Sequence, residues 1–234
     1  MGFSQFKERK YLSNVAPATI EWYEQSLRWL ATQSPTEAQL KDFVMRMREK
    51  GLKATACNNR IRAVNAYLHW QSEGPDVKCG VGCAHLRAGK LKESQHILPT
   101  FSIPQVTRLI ESKPRGFYPR RLHLIVLVLL DTGCRISEVL GVRVQDCDLD
   151  NLLLTVTGKG QKARKVPFSF ELRKVLVRYA GEFCEHPNVL LLGTRRGRKL
   201  GRRVVLRDVK RLCARLGFDA PERTLHAFRH TLRN

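Results

Sequence analysis

Three short stretches carry side chains that could do chemistry together. The first is Thr132-Gly133-Cys134-Arg135-Ile136-Ser137-Glu138, which follows an apolar run from Leu122 to Leu130. That run is long enough for a buried helix, and Gly133 accepts the left-handed conformation that commonly closes one. Arg135 follows at once, and Glu138 three residues later shares its face if a second helix starts there. The second stretch is Gly158-Lys159-Gly160-Gln161-Lys162, set between two strand-like runs. The third is His226-Ala227-Phe228-Arg229-His230-Thr231. A guanidinium is the side chain best shaped to fork onto a phosphate. Two arginines, a lysine and a histidine, each on its own element, make a phosphate site with acid–base groups. Taken alone, Arg135 and Glu138 would read as a surface ion pair after a glycine stop; the other two stretches shift the balance.

Composition agrees with an anionic partner. The 234 residues hold 42 Lys and Arg against 21 Asp and Glu, a formal net charge of +21. Such an excess points to a polyanion, most simply nucleic acid. The bases are spread along the chain, so this is not a basic tail on a neutral domain. Ribosomal and membrane-surface proteins can share such an excess, but the long apolar core argues against a simple coating protein. There is no apolar run long enough to span a bilayer and no signal-peptide stretch at the start, so the expected location is the cytoplasm, with no membrane partner. Of the seven cysteines, Cys57, Cys134, Cys147, Cys184 and Cys213 are scattered, mostly in apolar surroundings, and read as buried thiols. Cys79, Cys83 and His85 lie closer together and could form part of a zinc site with His69 or His96. No second cysteine pair follows at finger spacing, and no metal is assigned.

The elements that must position these groups can be read in order. Residues 17–32 show a helical stripe of Ile20, Tyr23, Leu27 and Leu30. Ser34-Pro35-Thr36-Glu37 reads as a capping box with proline at the first helical position. It opens a helix that turns Leu40, Phe43, Val44 and Met47 inward and stops at Gly51. A third helix runs from about Thr55 to Ser72, with Ile61, Val64, Tyr67 and Leu68 inward. Arg46, Lys53, Arg60 and Arg62 decorate these helices, as a solvated face or a DNA-facing one. Residues 76–101, with Lys90 and Lys92, read as a basic linker between a helical domain (1–75) and a second domain (102–234). The linker could lie along a phosphate backbone or be plain interdomain chain, with a helical turn near Leu91.

In the second domain Ser102-Ile103-Pro104-Gln105 opens a helix carrying Val106, Leu109 and Ile110. Leu152–Thr157 and Arg164–Phe168 form a hairpin around the Lys159 turn. Glu171–Tyr179 is helical, and Val189–Leu192 reads as a short strand. Between Arg195 and Arg215 there are ten Lys and Arg and one acid, Asp208. Arg195, Arg196, Arg198 and Lys199 fall in a loop; Arg202 and Arg203 open an amphipathic helix with Val205, Val209, Leu212 and Leu216 beneath. That skew favours a DNA-facing surface over plain solvation. A last helix starts near Thr224. The fold expected is mainly α with a small antiparallel β-sheet, in two domains.

The three stretches, in this order, resemble the tyrosine recombinases of the phage integrase family. The resemblance covers most of the chain and implies a helical core-binding domain and an α+β catalytic domain clamped around double-stranded DNA. It also implies self-assembly on DNA as a dimer or tetramer, no metal or nucleotide cofactor, no small-molecule substrate, and strand exchange through a 3′-phosphotyrosine. Carried over, Arg135 and Arg229 would grip the scissile phosphate, and His226 would be its general base or hydrogen-bond partner. Lys159 would protonate the leaving 5′-oxygen, and Glu138 would orient the neighbouring cations. His230, pointing away from Arg229 on the helix, reads as a packed histidine supporting the site. Phe228 stands where the family has leucine. In the family a further His or Trp and then the nucleophilic tyrosine come well downstream of the second arginine. Here five residues follow Arg229, and none of Tyr11, Tyr23, Tyr67, Tyr118 and Tyr179 occupies that place. The expectation is a chain that stops before its nucleophile, binding duplex DNA without cleaving it. The competing readings are a DNA-binding protein or competitor on the same fold that never cleaves, and an unrelated basic RNA-binding protein. The second leaves the ordered motifs unexplained.

Overall fold

A computed structural model of the chain divides into two compact units, Met1–His96 and Ile97–Asn234. It describes residues 2–72, 86–94 and 98–231, with the side chain of Lys159 outside the described atoms. Cys79, Cys83, His85 and His96 lie outside the described residues, and with them the zinc reading. Among the described residues no group of His, Cys, Asp and Glu could hold a metal ion, and no helix is long and apolar enough to cross a membrane.

The first unit is helical: α1 (Phe3–Leu12), α2 (Pro17–Leu27), α3 (Glu37–Glu49) and α4 (Ala54–Ser72). Its core joins Phe6, Leu27, Leu40, Phe43, Met47, Ile61, Val64 and Tyr67. Edge-to-face contacts of Phe6 with Tyr23 and Tyr67 tie α1, α2 and α4 together. Helix α1 has no apolar stripe, and the sequence pattern does not reveal it. Helix α2 ends at Leu27, not residue 32, although Leu30 is still buried. The capping box of α3 sits two residues later than expected. Thr36 is the N-cap, its hydroxyl accepting from Gln39 N while Gln39 Oε1 accepts from Thr36 N. Helix α3 closes at Gly51, where the Leu52 N–H donates to the Met47 carbonyl.

The expected linker differs in its described part. Asn58 and Asn65, one face of α4, each hold a backbone segment through both ends of the amide. Asn58 donates to Leu91 O and accepts from Leu91 N, both at 2.8 Å. Asn65 donates to Ala88 O and accepts from Ala88 N. Residues 86–94 are therefore docked on α4, with Ala88 buried, and Leu91 is not in a helical turn.

The second unit is built around α6 (Phe117–Thr132), with α5 (Ile103–Glu111), the short α7 (Ile136–Val139), α8 (Phe170–Phe183), α9 (Arg202–Arg215) and α10 (Thr224–Thr231). Leu124, Ile125, Val126, Val128 and Leu129 are all buried, so α6 has the wide apolar face of a central helix, with His123, Leu127, Leu130 and Asp131 half-buried on the remaining side. The antiparallel sheet runs in order β1 (Cys147–Asp148), β2 (Leu153–Thr157), β3 (Ala163–Pro167). In its register Leu154 faces Val166 and Val156 faces Arg164. Strand β1 is an addition to the expected hairpin. The apolar run Val189–Leu192 is not a strand: Leu190 makes one isolated bridge with Arg143, while Leu191 and Leu192 are buried as loop. Burial alone does not distinguish a strand from an apolar loop. Cys57, Cys134 and Cys213 are buried free thiols and Cys147 and Cys184 half-buried ones.

Replacing Asn58 by Ala leaves the Leu91 amide and carbonyl without their partner. The expected cost is about 2 kcal/mol, read by denaturant unfolding. Limited trypsin digestion should then cut faster after Lys90 and Lys92 than in the parent chain.

Candidate active site

The site begins at the end of α6. Gly133 takes a left-handed backbone, φ 60°, and its N–H donates to Leu129 O, closing the helix. The Thr132 hydroxyl donates to Val128 O and accepts from Cys134 N. The chain turns and restarts as α7 with Arg135 at its N-cap. A buried post thus delivers Arg135 at a hydrogen-bonded break, which fixes where its backbone lies.

Glu138, only 4% exposed, sits beneath that break. Its carboxylate accepts four hydrogen bonds. Arg135 supplies two, from its backbone N at 2.8 Å and from Nη1 at 3.1 Å. Arg164 on β3 supplies a fork, Nη1 to Oε1 and Nη2 to Oε2, each at 2.9 Å. All the acceptor positions of a carboxylate are then filled. The Arg164 fork is the largest influence in drawing Glu138 down to about 2; the Arg135 hydrogen bonds add to it, and burial opposes it. Arg164 is absent from the residues singled out by sequence. The signal was present in the register: Val156 is buried, and the residue paired with it across β2 and β3 shares its face. An arginine beside a buried valine at the edge of the core is placed to reach a carboxylate there.

Arg229 comes from α10, whose other face is packed: Phe228 is buried and stacks on Phe101 at 4.6 Å. Arg229 Nη1 donates to Gly133 O at 3.2 Å, so the second arginine meets the chain two residues before the first. The Arg135 side chain is 58% exposed. Its remaining guanidinium nitrogens make no hydrogen bond among the described residues, and those of Arg229 likewise make none beyond the Gly133 carbonyl. Among these residues no carboxylate but Glu138 pairs with Arg135, Arg164 or Arg229. The break is therefore an arginine-rich, net positive site with donors left over.

His226 is exposed one turn before Arg229. Burial of its ring lowers its pKa most, and Arg202, His230, Arg223 and Arg135 push in the same direction. Those influences place the start of α9 and the Arg135 break beside it. That direction favours the neutral ring, which can accept a proton or a hydrogen bond. His230 is half-buried, not enclosed in the core. The Lys159 backbone lies in a tight turn whose base is closed by the Gly158 N–H donating to Lys162 O. Lys199 also comes to this region: a β-carbon built on Gly141, just past α7, would meet its Nζ at 3.4 Å.

The other basic residues singled out fall into groups. Arg196, Arg198 and Arg203 are exposed, whereas Arg195 stacks over Phe117 and Tyr118. In the first unit, Lys50 and Arg60 lie over the Trp29 ring at 5.1 and 5.2 Å, and Arg46 pairs with Asp42. Arg62 and Lys90 lie near Glu93 instead. Lys53 and Lys92 are exposed.

Two outcomes follow. The lowered Glu138 pKa contributes stability that is present above about pH 4.5 and lost as pH falls toward 2. Acid unfolding should be steep in that window. Glu138→Gln should make it shallower while costing on the order of 3 kcal/mol at neutral pH, because two arginines lose their anion. Second, proton NMR of His226 should give a pKa below 6.5, rising when inorganic phosphate or duplex DNA is added, since an anion favours the imidazolium.

Comparison with known proteins gives the same assignment throughout. The family model described as "Phage integrase family" matches residues 100–233. Tyrosine recombinase XerD of Bifidobacterium longum is 26% identical over 245 residues, covering 94% of this chain and 77% of that protein. Tyrosine recombinase XerA of Pyrococcus furiosus is 28% identical over 202 residues, 85% of this chain and 66% of that protein. The Tn1549 transposon integrase, solved in complex with transposon right end DNA, superposes with a TM-score of 0.72. It is 20% identical and covers 99% of this chain and 85% of that one. The XerH site-specific recombinase bound to palindromic difH substrate gives 0.69 at 20% identity, covering 94% of this chain and 69% of that one. These two likenesses show the fold; the family match takes in the Arg135 break, the Lys159 turn and the Arg229 helix. The chain belongs to the phage integrase family, the tyrosine recombinases.

Proposed function

We propose that this chain supplies the DNA-gripping and phosphate-activating part of a site-specific recombinase acting on double-stranded DNA. The observation that carries the reading is the pairing of Arg229 with the carbonyl of Gly133, beside an Arg135 whose carboxylate is already shared with Arg164. Two guanidinium groups with free donors at one break suit a phosphate that gains charge on its non-bridging oxygens in the transition state. In this reaction a tyrosine oxygen attacks phosphorus, the bond to the 5′-oxygen breaks, and a 3′-phosphotyrosine forms. The leaving oxygen takes a proton, the part assigned to Lys159. Neutral His226 accepts a hydrogen bond or a proton at the same phosphate. One ester replaces another, so no nucleotide or metal cofactor is called for. Assembly of two or four copies on DNA belongs to the same reading.

The attacking tyrosine is not one of those in the second unit. Tyr118 lies on the first turn of α6, whose far end carries the break; fourteen residues at 1.5 Å each separate Tyr118 from Thr132, about 21 Å. Tyr179 is buried beside Phe117, at that same distant end. In the first unit Tyr67 is buried, with its hydroxyl donating to Gln33 O, and Tyr23 packs on Phe6. Tyr11, exposed at the end of α1, precedes Arg229 in the chain, whereas the family's nucleophile follows its second arginine. We infer that these 234 residues bind duplex DNA without cleaving it.

Affinity for a duplex should fall steeply with salt. Each neutralised phosphate contributes about 0.9 to the slope of log affinity against log salt, and several contacts are expected. A slope near zero contradicts the reading. On a nicked duplex carrying its recombination site, the 234-residue chain should leave no DNA-linked band on a denaturing gel. Such a band would assign the nucleophile to one of the five tyrosines.

A further inference from the structure

We propose that Arg164 is a positioning residue for this site: its fork onto Glu138 keeps Arg135 free for phosphate and holds the Lys159 turn against the Arg135 break. The inference rests on reading the break as the phosphate site. Its basis is how the donors are divided. Arg164 commits Nη1 and Nη2 to the carboxylate, and Nη2 also faces Cys134 Sγ at 3.9 Å. Arg135 commits one guanidinium nitrogen. Arg164 is thereby the structural partner and Arg135 the one with donors to offer.

Charge leads to the same division. Arg135 and Glu138 alone form a neutral pair, and a buried carboxylate with a single arginine would draw both of its forked nitrogens onto itself. The second guanidinium satisfies the carboxylate from the other side and leaves the trio with a net positive charge. Arg135 can then remain exposed while it is oriented.

The second half of the inference concerns the turn. Arg164 follows Lys159 by five residues on β3, and Gly158 precedes it at the end of β2. A β-carbon on Gly158 would stand 3.4 Å from Glu138 Oε1 and 3.6 Å from Arg164 Nη1. Both legs of the turn therefore rest on the same ion pair, one through backbone and one through a guanidinium. A buried carboxylate forked by a guanidinium from another element fixes the register of the two.

The test uses inorganic sulfate as the probe, with binding followed by calorimetry and the turn by amide hydrogen exchange at Gly158, whose N–H donates to Lys162 O. Arg164→Lys keeps the charge and loses the fork; it should weaken sulfate about tenfold and speed that amide. Arg164→Met should weaken sulfate further, because Glu138 then neutralises Arg135. Adding Glu138→Gln to Arg164→Met should restore part of the affinity, since the competing anion is gone. A purely structural role predicts the reverse, the double variant binding worse than the single one. Leu176→Val, in the core, serves as a variant of lowered stability that should leave sulfate affinity unchanged. Parental sulfate affinity in Arg164→Lys with unchanged amide exchange overturns the inference, as does further loss in the double variant. Failure of the parent chain to bind sulfate counts against the phosphate-site reading, and the amide exchange still decides whether Arg164 holds the turn.

Discussion

One buried carboxylate organises the second unit. Glu138 is held by four hydrogen bonds from two arginines on two different elements, and removing it from water is tolerable only because all four are made. This requirement constrains the rest. Helix α6 must end where Gly133 allows, α7 must begin at Arg135, and β3 must present Arg164 on the face it shares with Val156. A shift of one residue in the hairpin would turn Arg164 away and leave the carboxylate with one partner.

The arrangement also explains why the cations can crowd together. Arg135, Arg164 and Arg229 meet at one chain break, with Arg202 close enough to act on His226. Uncompensated, they would repel. Glu138 offsets part of that charge from below, and the Gly133 carbonyl accepts from Arg229. The surplus charge faces solvent, where a phosphate would complete the balance. The apolar body of α6 supplies stiffness, because Leu124, Ile125, Val126, Val128 and Leu129 are buried and cannot shift without disturbing the core.

Much of this was legible in the sequence, for local reasons. Gly133 marks a helix end through its own backbone freedom, and Arg135–Glu138 and His226–Arg229 are one helical turn apart, so each pair is fixed by spacing alone. The hairpin was legible because Gly158 and Gly160 punctuate two strand-like runs. What stayed hidden depends on partners distant in sequence. Arg164 was not singled out, since its role appears only when β2 and β3 are in register and Glu138 lies beneath. Asn58 and Asn65 carry no local pattern that marks them, yet they dock residues 86–94. Helix α1 has no apolar stripe and is held by Phe6 inserting among Tyr23, Tyr67 and Trp70. Val189–Leu192 pairs with Val142–Val144 through two backbone hydrogen bonds and one bridge, too short a match to make a strand.

The central claim is that Arg135 and Arg229, 94 positions apart, serve one anion. Nitrogen-15 NMR of the arginine Nε–H groups during titration with inorganic phosphate tests it most directly. The account predicts that the Arg135 and Arg229 signals move together along one binding curve with one dissociation constant, while Arg164, held on Glu138, moves little. Movement of only one of the two, or two curves with different constants, would contradict it.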